Sequence, residues 1–282
     1  MARKDLAQAK DAKKDEFYTQ LVDIEKELKF YKPHFEGKIV LCNCDDPYES
    51  NFFKYFALNF NSLGLKKLIA TCYDGSPISG QELSFDWGDS TYQAHKVAYK
   101  IEINEVRDEN GDGSIDLADV QWLIQNGKNV MTQLRGNGSF DSPECVEMLK
   151  EADIVVTNPP FSLFREFLAW IMEARKQFLI IGNMNALKYK EVFPLIQANK
   201  IWVENPFVRG AGYFTSPLAL DKTLSYYNSH DYREGFIRVP GVRWFSNIDN
   251  ITRQSSMELM SEKENIKFSK HKEVRDVGYR PY

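Results

Sequence analysis

Four consecutive residues near the middle of the chain combine a stiff backbone with a polar side chain and a flat apolar ring. They are Asn158, Pro159, Pro160 and Phe161. The two prolines fix φ and remove two backbone donors, so the turn is stiff and presents its carbonyl groups outward. Asn158 adds a side-chain acceptor, and Phe161 adds a face on which another ring can stack. The sequence therefore predicts a planar pocket for an NH₂ group carried on a ring.

Such a pocket suits the methylation of an exocyclic amine. The lone pair of an aromatic amine is delocalised into its ring, which makes the amine a poor nucleophile. Acceptors at the Asn158 side chain and the Pro159 carbonyl would localise that pair and stabilise the positive charge that develops on nitrogen as a methyl group arrives. A nucleobase would have to be flipped out of its duplex to reach them. The competing interpretation is an ordinary Asn-Pro-Pro turn without a catalytic role.

The elements around this turn favour the catalytic interpretation. Residues 153–157, with three apolar β-branched residues at their centre, are typical of a buried strand, and Ser162 is expected to begin a helix. In doubly wound sheets, ligands bind at the carboxyl ends of strands. Further strands are predicted at 38–42, 65–72, 178–181 and 201–203. Further helices are predicted at 17–31, at 52–60 with Ser50 as its cap, from the cap Ser142 onward, and at 189–198. This alternation predicts an α/β fold with a doubly wound, mostly parallel sheet.

Two regions depart from that alternation. Residues 74–138 are interpreted as an insertion, with paired strands expected over 92–106, and residues 205–282 as a C-terminal DNA-recognition and tail region. The DNA sequence is expected to be read by the insertion or by the segment 205–233, since neither fits the alternation of the sheet. Within the latter, residues 235–239 and 242–245 predict a hairpin of strands that turns at Pro240-Gly241. Arg165, just after the proline turn, could contact a phosphate or merely lie on the surface of its helix.

Composition limits the class of protein. The chain has 282 residues, 43% of them hydrophobic and 27% charged, which excludes a disordered or collagen-like protein. Its apolar runs are far shorter than the roughly 20 residues of a membrane-spanning helix. The N-terminus lacks an apolar signal segment, and the four cysteines are interpreted as reduced core thiols. We expect a soluble, cytoplasmic protein without a membrane partner.

Charge neither supports nor excludes a nucleic-acid partner. The net charge is −4, but five negative charges lie within residues 108–119, and without them the remainder of the chain carries +1. Basic residues gather near both ends of the chain, where a solvated tail is the simpler explanation.

The acidic segment 108–119 fits a twelve-residue calcium loop, with Gly113 at position 6 and Ile115 at position 8. The predicted ligands are Asp108, Asn110, Asp112, Ser114 through its carbonyl, Asp116 and Asp119. Asp119 stands where glutamate is usual, which should weaken binding or favour Mg²⁺ over Ca²⁺. The alternative is a surface turn without metal.

The sequence resembles the EcoRI-type adenine-specific DNA methyltransferases, a family of S-adenosylmethionine-dependent modification enzymes, over most of its length. The segments that carry the resemblance are 15–20, 41–47, 50–56, 152–166, 178–183 and 201–202. The resemblance implies a Rossmann-like methyltransferase fold in a single domain, residues 1–282, into which the calcium loop 108–119 is inserted as an EF-hand-like loop.

The resemblance also implies which residues bind S-adenosylmethionine. Asp45 or Asp46, followed by Pro47, would face the methionine amino group, and Tyr18 and Thr19 would flank the other side. The remaining predicted contacts are Asp74 for the ribose hydroxyls, Asp141 for the cofactor's adenine, and Asn158. The glycine-rich turn that methyltransferases usually place after the first strand is missing here, which leaves these contacts open.

The predicted function is methylation of adenine N6 in a short duplex DNA sequence, in a restriction-modification system or as an orphan enzyme. Cytosine C5 methylation is rejected because it needs a thiolate nucleophile, and no cysteine follows a proline here. The alternatives are an RNA adenine or protein glutamine methyltransferase, and a calcium-dependent binding module without activity. The expected partners are double-stranded DNA and a cognate restriction endonuclease that forms no stable complex with this chain, itself expected to be a monomer.

Overall fold

An eight-stranded sheet lies in the first of two units into which the chain divides, Met1–Asp249 and Asn250–Tyr282. The computed structural model describes residues 18–43, 50–72, 98–109, 111–126, 130–204, 211–215, 236–250, 261–272 and 275. In the second unit, Ser261 begins the helix Glu262–Phe268 through a capping box with Glu264.

Strands and helices alternate through most of the first unit. The strands are β1 (Tyr18–Thr19), β2 (Ile39–Cys42), β3 (Lys67–Cys72), β4 (Tyr99–Ile103), β5 (Met131–Gln133), β6 (Ile154–Thr157), β7 (Gln177–Asn183), β8 (Trp202–Glu204), β9 (Ala211–Thr215), β10 (Ile237–Pro240) and β11 (Val242–Ser246). The helices are α1 (Leu21–Leu28), α2 (Asn51–Leu58), α3 (Leu117–Asn126), α4 (Pro143–Glu151), α5 (Phe164–Glu173) and α6 (Phe193–Gln197). Short 3₁₀ turns lie at Lys32–His34, Phe161–Leu163 and Met184–Lys188.

The main sheet has the strand order β5-β4-β3-β2-β6-β7-β11-β8. Its four central strands, β3, β2, β6 and β7, are parallel neighbours. Strands β4 and β11 are antiparallel to the strands on both of their sides. Six of the eight strands therefore point the same way, and the prediction of an α/β fold with a mostly parallel sheet is confirmed.

The predicted hairpin across Pro240-Gly241 is wrong. Strands β10 and β11 do flank that turn, but β10 pairs with β9 in a separate three-stranded sheet with β1. Strand β11 instead enters the main sheet between β7 and β8. Alternating hydrophobicity predicts that two strands exist, but it does not identify the strand with which each one pairs.

Helices cover both faces of the central strands, which explains why β2 and β6 are buried at every position and apolar at every position but Thr157. Val40 and Val156 belong to a core cluster that includes residues of α1 and α2. Leu41 and Val155, on the opposite face, belong to a second cluster with residues of α4 and α5. Successive strand residues point to opposite faces, so each strand contributes to both clusters.

Capping was predicted correctly for two helices and incorrectly for a third. The Ser50 hydroxyl accepts hydrogen bonds from the backbone of Phe52 and Phe53, and Ser142 caps α4 through the backbone of Cys145. Ser162, however, does not begin a helix. It lies inside the 3₁₀ turn Phe161–Leu163, and α5 starts at Phe164 without a side-chain cap.

The part of the insertion that the structure describes extends the main sheet. Strand β4 pairs with β3 and β5 with β4, so the residues predicted to interrupt the fold continue its edge. Of the paired strands expected over 92–106, β4 lies within the described residues, and residues 73–97 lie outside them. The Glu144 carboxylate joins the end of this insertion to α4, because it accepts hydrogen bonds from the backbone N–H groups of Arg135 and Gly136, which lower the pKa of Glu144.

Candidate active site

The carboxyl ends of β2 and β6 define the most favourable place for a ligand. From β2 the chain continues to β3, which pairs with one edge of β2, and later returns to β6, which pairs with its other edge. Such a reversal opens a crevice in which doubly wound proteins bind their ligands. Strand β6 leads directly into Asn158, and β2 leads into residues 44–49. The structure therefore places the predicted catalytic turn beside the start of the predicted cofactor loop.

Several of the predicted cofactor residues lie outside the described part of the chain. They are Asp45, Asp46, Pro47 and Asp74. Their roles stay predictions.

A row of buried polar residues crosses this edge of the sheet. Cys42 lies opposite Ala70, and Leu41 lies opposite Val155, which places Asn43 next to both Thr71 and Thr157. All three polar residues are fully buried. The Thr157 hydroxyl donates a hydrogen bond to the carbonyl oxygen of Asn43. The ends of β2 and β6, which lead into the predicted cofactor-binding residues and the predicted catalytic turn, are thus tied together by a buried hydrogen bond.

The N-terminus of α4 lies at the same edge. The buried Cys145 thiol in its first turn contacts the carbonyl oxygen of Gly138, at 3.6 Å, and the side chain of Asn43. Burial raises the pKa of Cys145, although its hydrogen bonds with Ser142 and Asn43 oppose the increase. A thiol in this state is a poor nucleophile, in agreement with chemistry that needs no thiolate.

Asp141 precedes the Ser142 cap and therefore also lies near this edge. Its side chain is exposed and accepts a hydrogen bond from the Ser139 hydroxyl at 2.5 Å. The neighbouring Phe140 ring is buried against Phe167 and Trp170, with ring centroids 5.2 and 5.4 Å away. Phe140 thus belongs to the core, while Asp141 is accessible to a ligand.

The turn at residues 158–161, which is predicted to be catalytic, is partly buried. Pro159 is buried, while Asn158 and Phe161 are half-buried. The Oδ1 atom of Asn158 is itself shielded from solvent. The Leu163 backbone N–H donates to the Pro160 carbonyl at 2.9 Å, and Phe161 packs against the first core cluster. The ring of Phe161 is thus fixed by the core while part of its surface remains accessible.

Strand β1 contacts helix α2, which follows the predicted cofactor-binding residues 45–47. The Asn51 side-chain amide donates a hydrogen bond to the Thr19 carbonyl at 2.7 Å. Since Asn51 is the first residue of α2, this contact brings Thr19 to the end of the loop that begins after Asn43. Asn51 was not singled out from the sequence, where its only signal is a polar side chain directly after the Ser50 cap. Tyr18 lies one residue before Thr19, in β1.

The acidic loop forms many hydrogen bonds between its carboxylates and its own backbone. Asp108 accepts from the N–H groups of Gly111 and Gly113 at 2.6 and 2.8 Å. The buried Asp119 accepts from Glu109 and Asp116 at 2.8 and 2.9 Å. The described residues, which do not include Asn110, contain no group of three or more carboxylate, histidine or cysteine side chains placed to hold a metal ion. The predicted metal site is therefore not shown and stays a prediction.

Arg165 is the second residue of helix α5, which follows the predicted catalytic residues 158–161. Its side chain is exposed, and its guanidinium carbon is 5.0 Å from the centre of the Tyr189 ring. Most of the predicted recognition segment 205–233 lies outside the described residues, which include only 211–215 of it. Within the described part of the chain, no helix is long and apolar enough to cross a membrane.

Comparison with known proteins identifies a family. The model of the family described as adenine-specific methyltransferase EcoRI matches residues 5–277. The chain is 43% identical over 256 residues to the type II methyltransferase M.EcoRI of Escherichia coli, an alignment that covers 90% of this chain and 71% of that protein. No solved structure matches significantly.

Two mycoplasma proteins are also similar. Identity is 35% over 250 residues to the type II methyltransferase M.MpnI of Mycoplasma pneumoniae and 33% over 254 residues to M.MgeORF184P of Mycoplasma genitalium. Each alignment covers 85% of this chain and 63% of the relative, so the chain spans less than two thirds of the length of these two proteins.

Proposed function

Because this chain belongs to the adenine-specific methyltransferase EcoRI family, we propose that it transfers a methyl group to N6 of an adenine flipped out of a short duplex DNA sequence. The type II methyltransferases to which it is similar support a DNA substrate. The observation that carries the proposal is the position of Asn158, which directly follows β6 at the crevice between β2 and β6.

The mechanism relies on hydrogen bonds that strengthen as the reaction proceeds. S-adenosylmethionine, when bound, supplies an electrophilic methyl group. Asn158 and the Pro159 carbonyl accept hydrogen bonds from the adenine amine, and Phe161 stacks on the flipped ring. As nitrogen acquires positive charge, these acceptors stabilise it more than they stabilise the neutral amine, which lowers the barrier. Pro159 and Pro160 keep the acceptors fixed, so little reorganisation is needed.

The residues at the crevice fit a cofactor with an amino acid moiety and a nucleoside. Thr19 has a hydroxyl that is buried and, within the described residues, makes no hydrogen bond, so it has a donor to offer to a ligand. In this proposal Tyr18, Thr19 and the acidic pair Asp45 and Asp46 hold the methionine end. The list of proposed cofactor residues is completed by Pro47, Asp74, Asp141 and Asn158.

An RNA adenine or protein glutamine methyltransferase would share the Asn-Pro-Pro turn. The family match, which extends from residue 5 and so includes the N-terminal segment with Thr19, favours DNA over both. We further propose that the enzyme acts as a cytoplasmic monomer in a restriction-modification system. Its cognate endonuclease would cut the same sequence without a stable complex with this chain.

We further propose that residues 108–119 form an EF-hand-like loop that binds a calcium or magnesium ion. Six positions of residues 108–119 have ligand spacing, but their described carboxylates bind backbone amides. If a cation binds, its role is structural, since the loop lies in the insertion and not at the catalytic turn.

The test of the function is sequencing of genomic DNA from cells that express this chain, beside cells that express Asn158→Ala. We expect N6-methyladenine at one short motif in the first sample and its absence in the second. In vitro, the variant should bind S-adenosylmethionine like the wild type, while its kcat falls about 10²- to 10³-fold, the effect of removing one transition-state hydrogen bond. Methylation of RNA or protein without methylation of DNA would show that the substrate assignment is wrong.

A further inference from the structure

Gly182 occupies a place in β7 where no side chain fits. A Cβ atom built on its backbone would lie 2.3 Å from Cε2 of Phe164 and 2.9 Å from both Cδ2 and Cζ of the same ring. Non-bonded carbon atoms do not approach one another this closely, so a methyl group here would have to displace the ring. A glycine inside a strand often marks such a close approach by another group.

The ring that lies against Gly182 is enclosed on its other sides. Phe164 is 2% exposed, and its ring centroid is 4.9 Å from that of Phe245 in the neighbouring strand β11. A closely packed ring of this size has little room to move aside, because protein interiors are packed as densely as organic crystals. The bare backbone of Gly182 and the ring of Phe245 thus form a seat for Phe164, which we call the phenylalanine seat.

The phenylalanine seat fixes the start of helix α5. Phe164 is the first residue of that helix, and the residue before it, Leu163, provides no side-chain cap. Helices α2 and α4 begin with serine caps instead. The position of α5 at its N-terminus therefore depends on where the Phe164 ring packs.

Only a short and stiff segment separates Phe164 from the catalytic acceptors. Pro159 and Pro160 have fixed φ angles, and the Leu163 N–H to Pro160 carbonyl bond closes the 3₁₀ turn between them and the helix. A segment of this kind has few soft torsions with which to absorb a displacement. A shift of Phe164 would be passed on to Asn158.

We propose that Gly182 is a positioning residue for methyl transfer: it seats Phe164 and thereby sets where the acceptors of Asn158 and Pro159 stand relative to the methyl donor. This inference rests on the proposed function. Gly182 itself contacts neither cofactor nor substrate in the proposal, so it acts through Phe164.

The experiment compares wild type, Gly182→Ala, Phe164→Leu and the double variant Gly182→Ala/Phe164→Leu. Leucine lacks the Cε2 and Cζ atoms and so makes room for the added methyl group. Gly136→Ala is the matched control, because a Cβ atom there would meet Glu144 at an ordinary 3.5 Å. For each protein we would measure kcat and KM on DNA, the dissociation constant of S-adenosylmethionine, and Tm.

We expect Gly182→Ala to lower kcat about 100-fold, the effect of a displacement of about 1 Å at a catalytic group, while cofactor affinity stays near that of wild type. The double variant should recover part of the lost kcat, and Gly136→Ala should match wild type. Wild-type kcat in Gly182→Ala would overturn the proposal. If the fold loss of kcat in the double variant equals the product of the two single losses, the two positions act independently and the proposal is overturned as well.

Two further outcomes separate this inference from the function on which it rests. If wild type does not methylate DNA, the proposed function fails. The phenylalanine seat is then supported by non-additive Tm changes of the two substitutions and overturned by additive ones. If Gly182→Ala does not fold, recovery of folding and turnover in the double variant supports the seat. A double variant that also fails to fold overturns it.

Discussion

The centre of the main sheet and the insertion at its edge are built by different forces. All four residues of β2 and of β6 are buried, whereas all three residues of β5 are exposed. The centre is held by apolar packing on both faces and by hydrogen bonds between distant parts of the chain, as between Thr157 and Asn43. The acidic loop of the insertion is held by hydrogen bonds between near neighbours. The proposed catalytic turn thus lies in the part of the fold whose geometry is fixed by long-range packing.

If that contrast holds, a change in the acidic loop should affect stability and leave methylation unchanged. Asp119 is 1% exposed and accepts two backbone hydrogen bonds, so Asp119→Ala leaves two N–H groups without their acceptor. We expect the free energy of unfolding to fall by about 2 kcal/mol, as is typical of hydrogen bonds to a charged group. Denaturant titration measures the loss, and kcat should stay at the wild-type value.

The matched control for Asp119→Ala is Asp112→Ala, the same substitution at an exposed position of the same loop. Its cost in stability should be clearly smaller. Equal losses for the two variants, or a lowered kcat with Asp119→Ala, would contradict the separation between loop and site.

At the centre of the sheet, a smaller change in stability should be accompanied by a change in cofactor affinity. Thr157→Val keeps the shape of the side chain but removes the hydroxyl that donates to the Asn43 carbonyl. We expect a loss of about 1 kcal/mol in the free energy of unfolding, which is the usual net value of one hydrogen bond. Calorimetric titration with S-adenosylmethionine should show weaker binding, because the loop after Asn43 loses its tie to β6.

Two controls sharpen this prediction. Thr157→Ser keeps the hydroxyl and should retain cofactor affinity. Thr71→Val removes a hydroxyl that is buried in the same row but makes no hydrogen bond within the described residues, so it should be neutral or slightly stabilising. If Thr71→Val weakens cofactor binding as much as Thr157→Val, the specific hydrogen bond is not the cause.

The smallest expected effect is that of calcium on the acidic loop. Since Asp119 is shorter than the glutamate usual at position 12, binding should be weak. Calcium at three times its dissociation constant would stabilise the fold by about 0.8 kcal/mol. We expect EDTA to lower Tm, Ca²⁺ to restore it, and Asp112→Ala to abolish the response. An identical Tm in EDTA and Ca²⁺ would identify residues 108–119 as a plain turn.

Helix caps and strands whose formation depends on neighbouring residues were predicted well from the sequence. The caps Ser50 and Ser142, the central strands and the mostly parallel sheet follow from capping chemistry and hydrophobic periodicity. The Ser162 prediction was wrong because a serine hydroxyl is only one way to start a helix, and here the packing of Phe164 defines the start instead. Gly182 was not singled out, because it lies just beyond the strand predicted at 178–181 and the sequence does not show which ring would approach it.

The sequence by itself determined the stiff Asn158 turn, whose shape is a covalent property of two prolines, and the buried strand that presents it. Only the tertiary structure decided that β11 enters the main sheet between β7 and β8, that Thr157 bonds to Asn43, and that Phe164 packs on Gly182. These contacts join residues that are between 18 and 114 positions apart. Their geometry depends on strand register and on close packing, which are properties of the whole folded chain.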